Sequence, residues 1–508
     1  MPELAAFIAY YAGLTGLLLA AGHRFWLTWI ATRPADAPMF KPLQLPGGAP
    51  FVTIQIPVFN ERFVVQRILR SLAALEYERD RFEVQILDDS EDDTSDLIAR
   101  EVPRLAMQGI SVRHIRRESR SGYKAGALAA GTVEARGEFV AIFDADFVPP
   151  PMFLRQAVGA FADPNVGVVQ ARWGYLNEDE SRLTQAQAAM LDAHFEIEQA
   201  ARFRRGYFLN FNGTAGMWRK KAIESAGGWR AATLTEDLDL SFRVQLAGWS
   251  IVYLPDLVVP SELPSHFSSF RIQQFRWAKG SAQTLRKMAK PLLRQKLPLG
   301  TRMDALVHLT GHFAYAAVLL ILFSFPWVLN ARGMRSVWNG SDSIFFGFST
   351  ISVLWFFCQP QKTKRKSAGN IIQTIAVALT LGVAMAIHNT AATLDGLVDR
   401  SGIFVRTPKK GNSNTGYREQ AGGRAAAIVR WLEGFLSLYL LGCLVWFVRS
   451  GRWLFVPLGL YFFLAASLPA MAAWRAALLP RLRKRGFLDS QEPMCDSYTE
   501  AAVQRKVG

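Results

Sequence analysis

The stretch Phe139-Val-Ala-Ile-Phe-Asp-Ala-Asp146 decides the reading of the fold. An uncharged apolar run of this length reads as a strand buried on both faces, and two carboxylates one residue apart follow it directly. Upstream, Val52-Thr-Ile-Gln-Ile56 and Val84-Gln-Ile-Leu87 read as two more strands, and the segment 62–75 between them has apolar residues at helical spacing. Strand, helix, strand units imply a parallel sheet, with ligands at the carboxyl ends of its strands. The acidic clusters fall at those ends. Asp144 and Asp146 are hard oxygen ligands that suit Mg²⁺ or Mn²⁺ bridging a diphosphate, or else they form the turn after a strand. Asp88 and Asp89 suit hydrogen bonds from a base or ribose, while neighbouring Ser90, Asp92 and Asp93 equally suit a helix cap. Thr235-Glu236-Asp237 reads as a helix start, with Thr235 as an N-cap or a carboxylate acting as general base on a hydroxyl.

Outside this region the texture changes. The 508-residue chain is half apolar, and its 58 Lys+Arg against 42 Asp+Glu give a formal net charge of +16. That composition excludes a disordered chain and fits nucleic acid, anionic lipid or polyphosphate-bearing partners. Cys358, Cys443 and Cys495 are too scattered for a disulfide framework or a thiolate site, so any metal is held by oxygen. Residues 4–22 carry no charge, close to the roughly 20 apolar residues that cross a bilayer as a helix. His23, Arg24 and Arg33 follow, which predicts an uncleaved anchor with its N-terminus outside. Further charge-free runs occupy 305–331, 343–361, 368–394, 434–448 and 453–474. If all span, the basic stretch 395–432 and the tail beginning at Arg481 face outward, against the positive-inside tendency. The half-polar 368–394 is the run predicted to lie along the interface, leaving five spans, with six the alternative. Because the basic residues flank membrane segments, topology accounts for the charge and no nucleic-acid partner is expected.

The motifs, taken together, resemble a known family. Ile56-Pro-Val-Phe-Asn-Glu61, Leu87-Asp-Asp-Ser90, Gly122-Tyr-Lys-Ala-Gly-Ala127, Phe143-Asp-Ala-Asp146, Gln170-Ala-Arg-Trp173, Phe211-Asn-Gly-Thr214, Thr235-Glu-Asp237 and Gln273-Gln-Phe-Arg-Trp277 occur in the order of the processive family-2 glycosyltransferases. The likeness runs from about 50 to 410 and is strongest to the cellulose synthase-like A and C enzymes, with bacterial cellulose synthase more distant.

The resemblance implies an α/β, Rossmann-like GT-A domain on the cytoplasmic side, inserted between transmembrane helices. Pro57, Asn60 and Glu61 would lie near the nucleotide, Asp88 and Asp89 on base and ribose, and Lys124 and Arg276 toward the diphosphate. Asp144 and Asp146 would flank Mg²⁺ or Mn²⁺, and Asp237, beside Glu236, would take the acceptor proton in an inverting transfer. Gln273, Trp277, Trp173, Asn212, Gly213 and Thr214 would serve the acceptor and growing polymer, an indole face stacking on a pyranose. Phe404-Val-Arg-Thr-Pro-Lys409 resembles the F-x-V-T-x-K gating loop of cellulose synthase, so Phe404, Thr407 and Lys409 would cover the donor, although Arg406 stands where that pattern has Val. His308 and His312 share a helix face, with lining the polymer path and packing against other helices equally open.

The expected partners are a nucleotide-sugar, GDP-mannose or UDP-glucose, a growing β-1,4-glycan, membrane lipid, and accessory subunits if the product is exported. A non-processive lipid glycosyltransferase of ceramide or diacylglycerol type is the alternative. The expected layout is an anchor at 1–30, a catalytic domain at 50–272 and the Gln273 motif with interfacial helices at 273–303. Membrane helices follow at 304–394, a gating-like loop at 395–432, more helices at 433–475 and a cytoplasmic tail at 476–508. A bacterial inner membrane is the expected location, with the Golgi as the other option.

Overall fold

A computed structural model of the protein describes residues 2–34, 48–332, 340–399, 402, 405–407 and 424–484. Seven strands make one sheet: β1 (Val52–Val58), β2 (Phe82–Asp88), β3 (Ser111–Arg116), β4 (Phe139–Ile142), β5 (Val166–Tyr175), β6 (Gly216–Arg219) and β7 (Ser250–Ser261). Their order is β3-β2-β1-β4-β6-β5-β7. Parallel pairing joins β1 to β2 and β4, β2 to β3, and β5 to β7. β6 is antiparallel to both of its neighbours, so the expected parallel sheet is mixed. This reversal has a consequence for the site. An antiparallel strand begins where its neighbours end, so the segment 211–215 leading into β6 lies at the edge where β4 delivers Asp144 and Asp146.

The strands form because their apolar residues are buried on one face and their polar residues are paired on the other. Val52, Ile54 and Ile56 join a core with Phe82, Val84, Ile86, Phe139 and Phe143. Thr53 and Gln55, also fully buried, donate across to Glu83 at 2.8 Å and Gln85 at 3.0 Å. Glu83 in turn accepts from the Arg136 backbone at 2.9 Å and its guanidinium at 2.7 Å, which satisfies a buried charge. The strand alternation of Val52-Thr-Ile-Gln-Ile56 thus reports two buried faces rather than a wet and a dry one.

Among the described residues, five helices are long and apolar enough to cross a bilayer: Glu3–Thr32, Leu299–Arg332, Asp342–Thr363, Ala426–Arg449 and Trp453–Arg475. The run at 368–394 becomes two helices, Ala368–Ala384 and Ala386–Val398, bent by 53° where the sequence turns polar. Counting the pair as one span would make six. The first helix ends against the sheet domain, where the Arg204 guanidinium donates to the carbonyls of Ile30, Ala31 and Arg33 at 3.2, 3.0 and 2.8 Å. A cation on the open carbonyls of a helix C-terminus is favourable, so this end is fixed to the sheet domain.

The helix Phe267–Arg294 joins the two parts. Its Gln283 accepts from the Leu234 N–H at 2.9 Å, and Gly280 lies so close to Thr235 that a Cβ there would come within 2.5 Å of that side chain. On its other side it packs on Ala386–Val398, where Lys279 pairs with Asp395 and Asp399, each at 2.8 Å. Gly280→Val is expected to overpack this contact at a cost of ~1–3 kcal/mol. A thermal unfolding scan of the purified protein should show a lower midpoint than wild type, while Leu293→Ala on an exposed face of the same helix should leave it in place.

Candidate active site

Lys124 stands at the centre of the acidic edge. Its ammonium donates to Asp144 Oδ1 at 2.5 Å and to the Gly213 carbonyl at 2.9 Å. The Asp144 N–H donates to Thr214 Oγ1 at 2.8 Å, so the β4 turn and the segment before β6 are stitched together. Gln170 completes that stitching from β5: its Oε1 accepts from the Asn212 N–H at 2.8 Å, and its amide donates to the carbonyls of Thr214 and Ala215. Gly213 adopts φ +81°, and a Cβ there would lie 2.9 Å from Asp237 Oδ2. Only glycine meets both demands, the left-handed backbone and the close approach of a carboxylate.

Glu236 and Asp237 open the helix Glu236–Leu246, and Thr235 before them makes no side-chain cap bond. Thr235 packs against Gly280, and the Glu236 and Asp237 carboxylates line the cleft while accepting hydrogen bonds from N–H groups of the helix's first turn. Burial raises the Asp237 carboxyl, and the neighbouring Glu236 charge raises it further against the pull of Lys124, up to about 7. Glu236 is raised too, by burial, with Lys124 opposing. Burial works against the Lys124 charge, but Asp144 and Glu236 outweigh it and its pKa is raised. The cluster is thus one electrostatically linked unit in which carboxylates outnumber the ammonium.

Two cavities meet at Asp237. A cleft at the sheet edge is lined by Pro57, Glu61, Asp89, Lys124, Asp144, Asp146 and Arg276. A larger cavity of about 640 Å³ extends between the membrane-type helices to His23, Arg24, His308, His312 and Tyr315. Asp237, Asn212, Trp173, Gln273 and Trp277 line both. A group at Asp237 therefore faces a ligand from either side.

Asp144 and Asp146 suit a divalent cation. Asp146 is buried and Asp144 half-exposed toward the cleft, and among the described residues no group of three His, Cys, Asp or Glu side chains gathers to hold a metal. Two carboxylates are what Mg²⁺ or Mn²⁺ takes from a protein when phosphate oxygens and water supply the remaining ligands.

A family model described as "Glycosyltransferase like family 2" matches residues 49–280. Glucomannan 4-beta-mannosyltransferase 2 of Arabidopsis thaliana is 46% identical over 252 residues, 49% of this chain and 47% of that one. Probable glucomannan 4-beta-mannosyltransferase 15 of the same plant is 34% identical over 437 residues, 82% of this chain and 77% of the relative. The chain belongs to glycosyltransferase family 2. The first match spans about half the relative's length, whereas the second takes in most of both chains. The mannosyltransferase PcManGT from Pyrobaculum calidifontis, solved with GDP-Man and Mn²⁺, shares the fold: TM-score 0.50 at 20% identity, over 75% of this chain and 99% of that one.

Several family-motif residues turn out to be supports. Asp88, expected on base or ribose, is buried and accepts from the Ser90 N–H at 2.9 Å and Ser95 Oγ at 2.6 Å, with His114 Nε2 at 2.8 Å. Burial works the other way, but these hydrogen bonds hold its carboxyl down to about 2. Asp89 does line the cleft, gripped by Arg117. Asn60, at φ 56°, ties two strand-end loops: its N–H donates to Ser90 Oγ at 2.9 Å and its Oδ1 accepts from the Glu91 N–H at 2.8 Å. Thr214, expected toward the acceptor, is buried beneath Asp144. Phe404 and Lys409 lie outside the described residues, while Thr407 accepts from Arg276 Nη2 at 3.1 Å. Arg406, the departure from the gating-loop pattern, forks onto Glu61 with contacts of 2.8 and 2.6 Å. His308 and His312 both line the larger cavity.

Sequence reasoning missed Arg117, Arg406 as a partner of Glu61, and His194. His194 lies 3.0 Å from both Glu198 and Asn212, and its only sequence signal is an ordinary i,i+4 His–Glu spacing. For the pH dependence, a base must be ionised to accept a proton, so a raised pKa makes activity fall as pH drops through it. With Asp237 as that base, kcat/KM for the donor should fall on the acid side, through an apparent pKa near 7 in the wild type. Glu236→Gln removes the like charge and should move that limb to lower pH; an unmoved limb would contradict the stated cause.

Proposed function

We propose that the protein is a membrane-embedded, metal-dependent inverting hexosyltransferase that extends a β-1,4-linked mannan or glucomannan from a nucleotide-activated hexose. The observation that carries this reading is the position of Asp237, with Trp277, at the junction of an acidic cleft with basic walls and a cavity running between membrane-type helices. Relatives named glucomannan 4-beta-mannosyltransferases support mannose as the transferred sugar, and the five apolar helices support a multi-pass membrane location with the sheet domain in the cytoplasm.

In this reading the donor lies in the cleft, its nucleoside toward Asp89 and Pro57 and its diphosphate toward Lys124 and Arg276. Asp144 and Asp146 hold Mg²⁺ or Mn²⁺, which supplies charge neutralisation to the diphosphate leaving group. The acceptor's terminal sugar enters from the larger cavity and stacks on Trp277. Its hydroxyl oxygen forms a bond to the anomeric carbon, the bond from that carbon to the diphosphate breaks, and Asp237 takes the hydroxyl proton. Attack from the face opposite the leaving group turns an α-linked donor into a β-linkage. The leaving nucleoside diphosphate keeps the bonding electrons, and Lys124 and Arg276 offset its added charge. A route for the lengthened chain away from Asp237 that avoids the donor is the cavity toward His308 and His312, which supports export through the helices. Arg406 and Thr407 line the donor cleft, which supports a role for their segment in holding the bound donor.

The reading is tested by incubating membranes containing the protein with labelled GDP-mannose and UDP-glucose, singly and mixed, with Mg²⁺ or Mn²⁺. Label from GDP-mannose should collect in an insoluble pellet released by β-mannanase. Label confined to an organic extract would overturn the polymer reading in favour of a lipid acceptor.

A further inference from the structure

A buried polar chain runs from the first membrane-type helix to the acidic edge of the sheet. His23 Nε2 lies 2.8 Å from Asp304 Oδ1, Asp304 Oδ2 accepts from Arg202 Nε at 3.1 Å, and Arg202 Nη1 lies 3.6 Å from Glu198. Glu198 Oε2 faces His194 Nδ1 at 3.0 Å, and His194 Nε2 faces the Asn212 side chain at 3.0 Å. Asn212 adjoins Gly213, which is in contact range of Asp237 and Lys124. His194 and Glu198 sit on a π-helical stretch, Ala193–Gln199, inserted between two α-helical segments. Such wide turns re-aim side chains and recur at functional sites.

This arrangement exceeds what packing requires. Arg202 and Asp304 are almost fully buried, yet His194 and Glu198 keep about a fifth of their side-chain surface open, and both line the larger cavity with Asn212 and Asp237. Glu198, held well below the usual carboxylate range by His194 and Arg202 despite its burial, accepts hydrogen bonds only. It therefore takes the Nδ1–H, which fixes the imidazole plane and holds Nε2 against the Asn212 side chain, 3.0 Å away, on the wall of the cavity that Asp237 also lines. An aimed imidazole nitrogen beside an amide is a polar pair suited to the adjacent hydroxyls of a pyranose.

We propose that His194, with Asn212, binds the terminal sugar of the acceptor and sets which of its hydroxyls meets Asp237, while Glu198 acts as a positioning residue through the imidazole. The proposal rests on the glycan-acceptor reading above and adds His194 and Glu198, which no quoted motif contains, to the motif residue Asn212. Trp277 supplies a flat apolar face without rotational register, and His194 supplies the register. Donor groups do not reach His194, because it lines the larger cavity and not the donor cleft.

The test uses the full-length protein in detergent or nanodiscs, with GDP-mannose as donor and soluble β-1,4-manno-oligosaccharides as acceptor. His194→Ala should raise acceptor KM roughly tenfold or more, the scale of losing one well-placed hydrogen bond, while donor KM stays within about twofold. His194→Gln, which keeps a polar group near Nε2, should recover part of that loss, and Glu198→Gln should shift acceptor KM in the same direction as His194→Ala. An unchanged donor KM also reports that each variant is folded. Equal rises in both KM values, or an acceptor KM that does not move in His194→Ala, would overturn the assignment. If the wild type glycosylates only a lipid fraction, the polymer reading falls, and the same ratio of KM values measured with that lipid decides the role of His194.

Discussion

One ammonium group holds the site together. Asp144, Asp146, Glu236 and Asp237 are drawn to one edge of the sheet, and that many carboxylates in a half-buried cleft repel one another strongly. Lys124 offsets the repulsion by bonding Asp144 and the Gly213 carbonyl, and its own raised pKa is the reciprocal sign of the same attraction. Burial first, and then the Glu236 charge that Lys124 only partly offsets, leave Asp237 near 7, the range in which a carboxylate is basic enough to take a hydroxyl proton yet still ionises at neutral pH. In the proposed mechanism the diphosphate-facing charges and the base are separate in role, and the linkage between them is electrostatic.

The second constraint is mechanical. The helix Phe267–Arg294 presents Gly280 and Gln283 to the segment that ends in Asp237, and Lys279 to the bent pair beside the membrane-type helices. Arg276 and Trp277 project from the same helix into the donor cleft. One helix thus carries a cleft-lining cation, an indole and the contact to the bent pair, and it braces the turn that precedes Asp237 on the neighbouring helix Glu236–Leu246. Side chains placed by a helix are held more accurately than those placed by loops.

Much of this was legible in the sequence because short runs carried it. Val52–Ile56, Val84–Leu87 and Phe139–Phe143 are strands in β1, β2 and β4, and the polar break in 368–394 falls where the helix bends. The reversed β6 was not legible, since strand direction depends on where the chain re-enters the sheet rather than on the residues within Gly216–Arg219. Motif residues were harder to sort into contacts and supports. Asp88 and Asp89 are neighbours of identical chemistry, and only the partners brought by β3 and the helix after Asp93 tell that one is buried on Ser95 and His114 and the other lines the cleft. His194 was overlooked because its partner Asn212 comes from the folded arrangement, while the i,i+4 spacing to Glu198 is common on any helix.

The most direct test of the central claim, that Asp237 is a base set apart from the diphosphate-binding groups, compares Asp237→Asn with wild type in two assays on the same preparation. Equilibrium donor binding is measured by calorimetry, and single-turnover transfer by rapid quench. The expected result is donor affinity within about threefold of wild type, with the transfer rate reduced by roughly 10²–10⁴-fold, the usual contribution of a general base. Loss of donor affinity in proportion to the loss of rate would place Asp237 among the donor ligands and contradict the assignment.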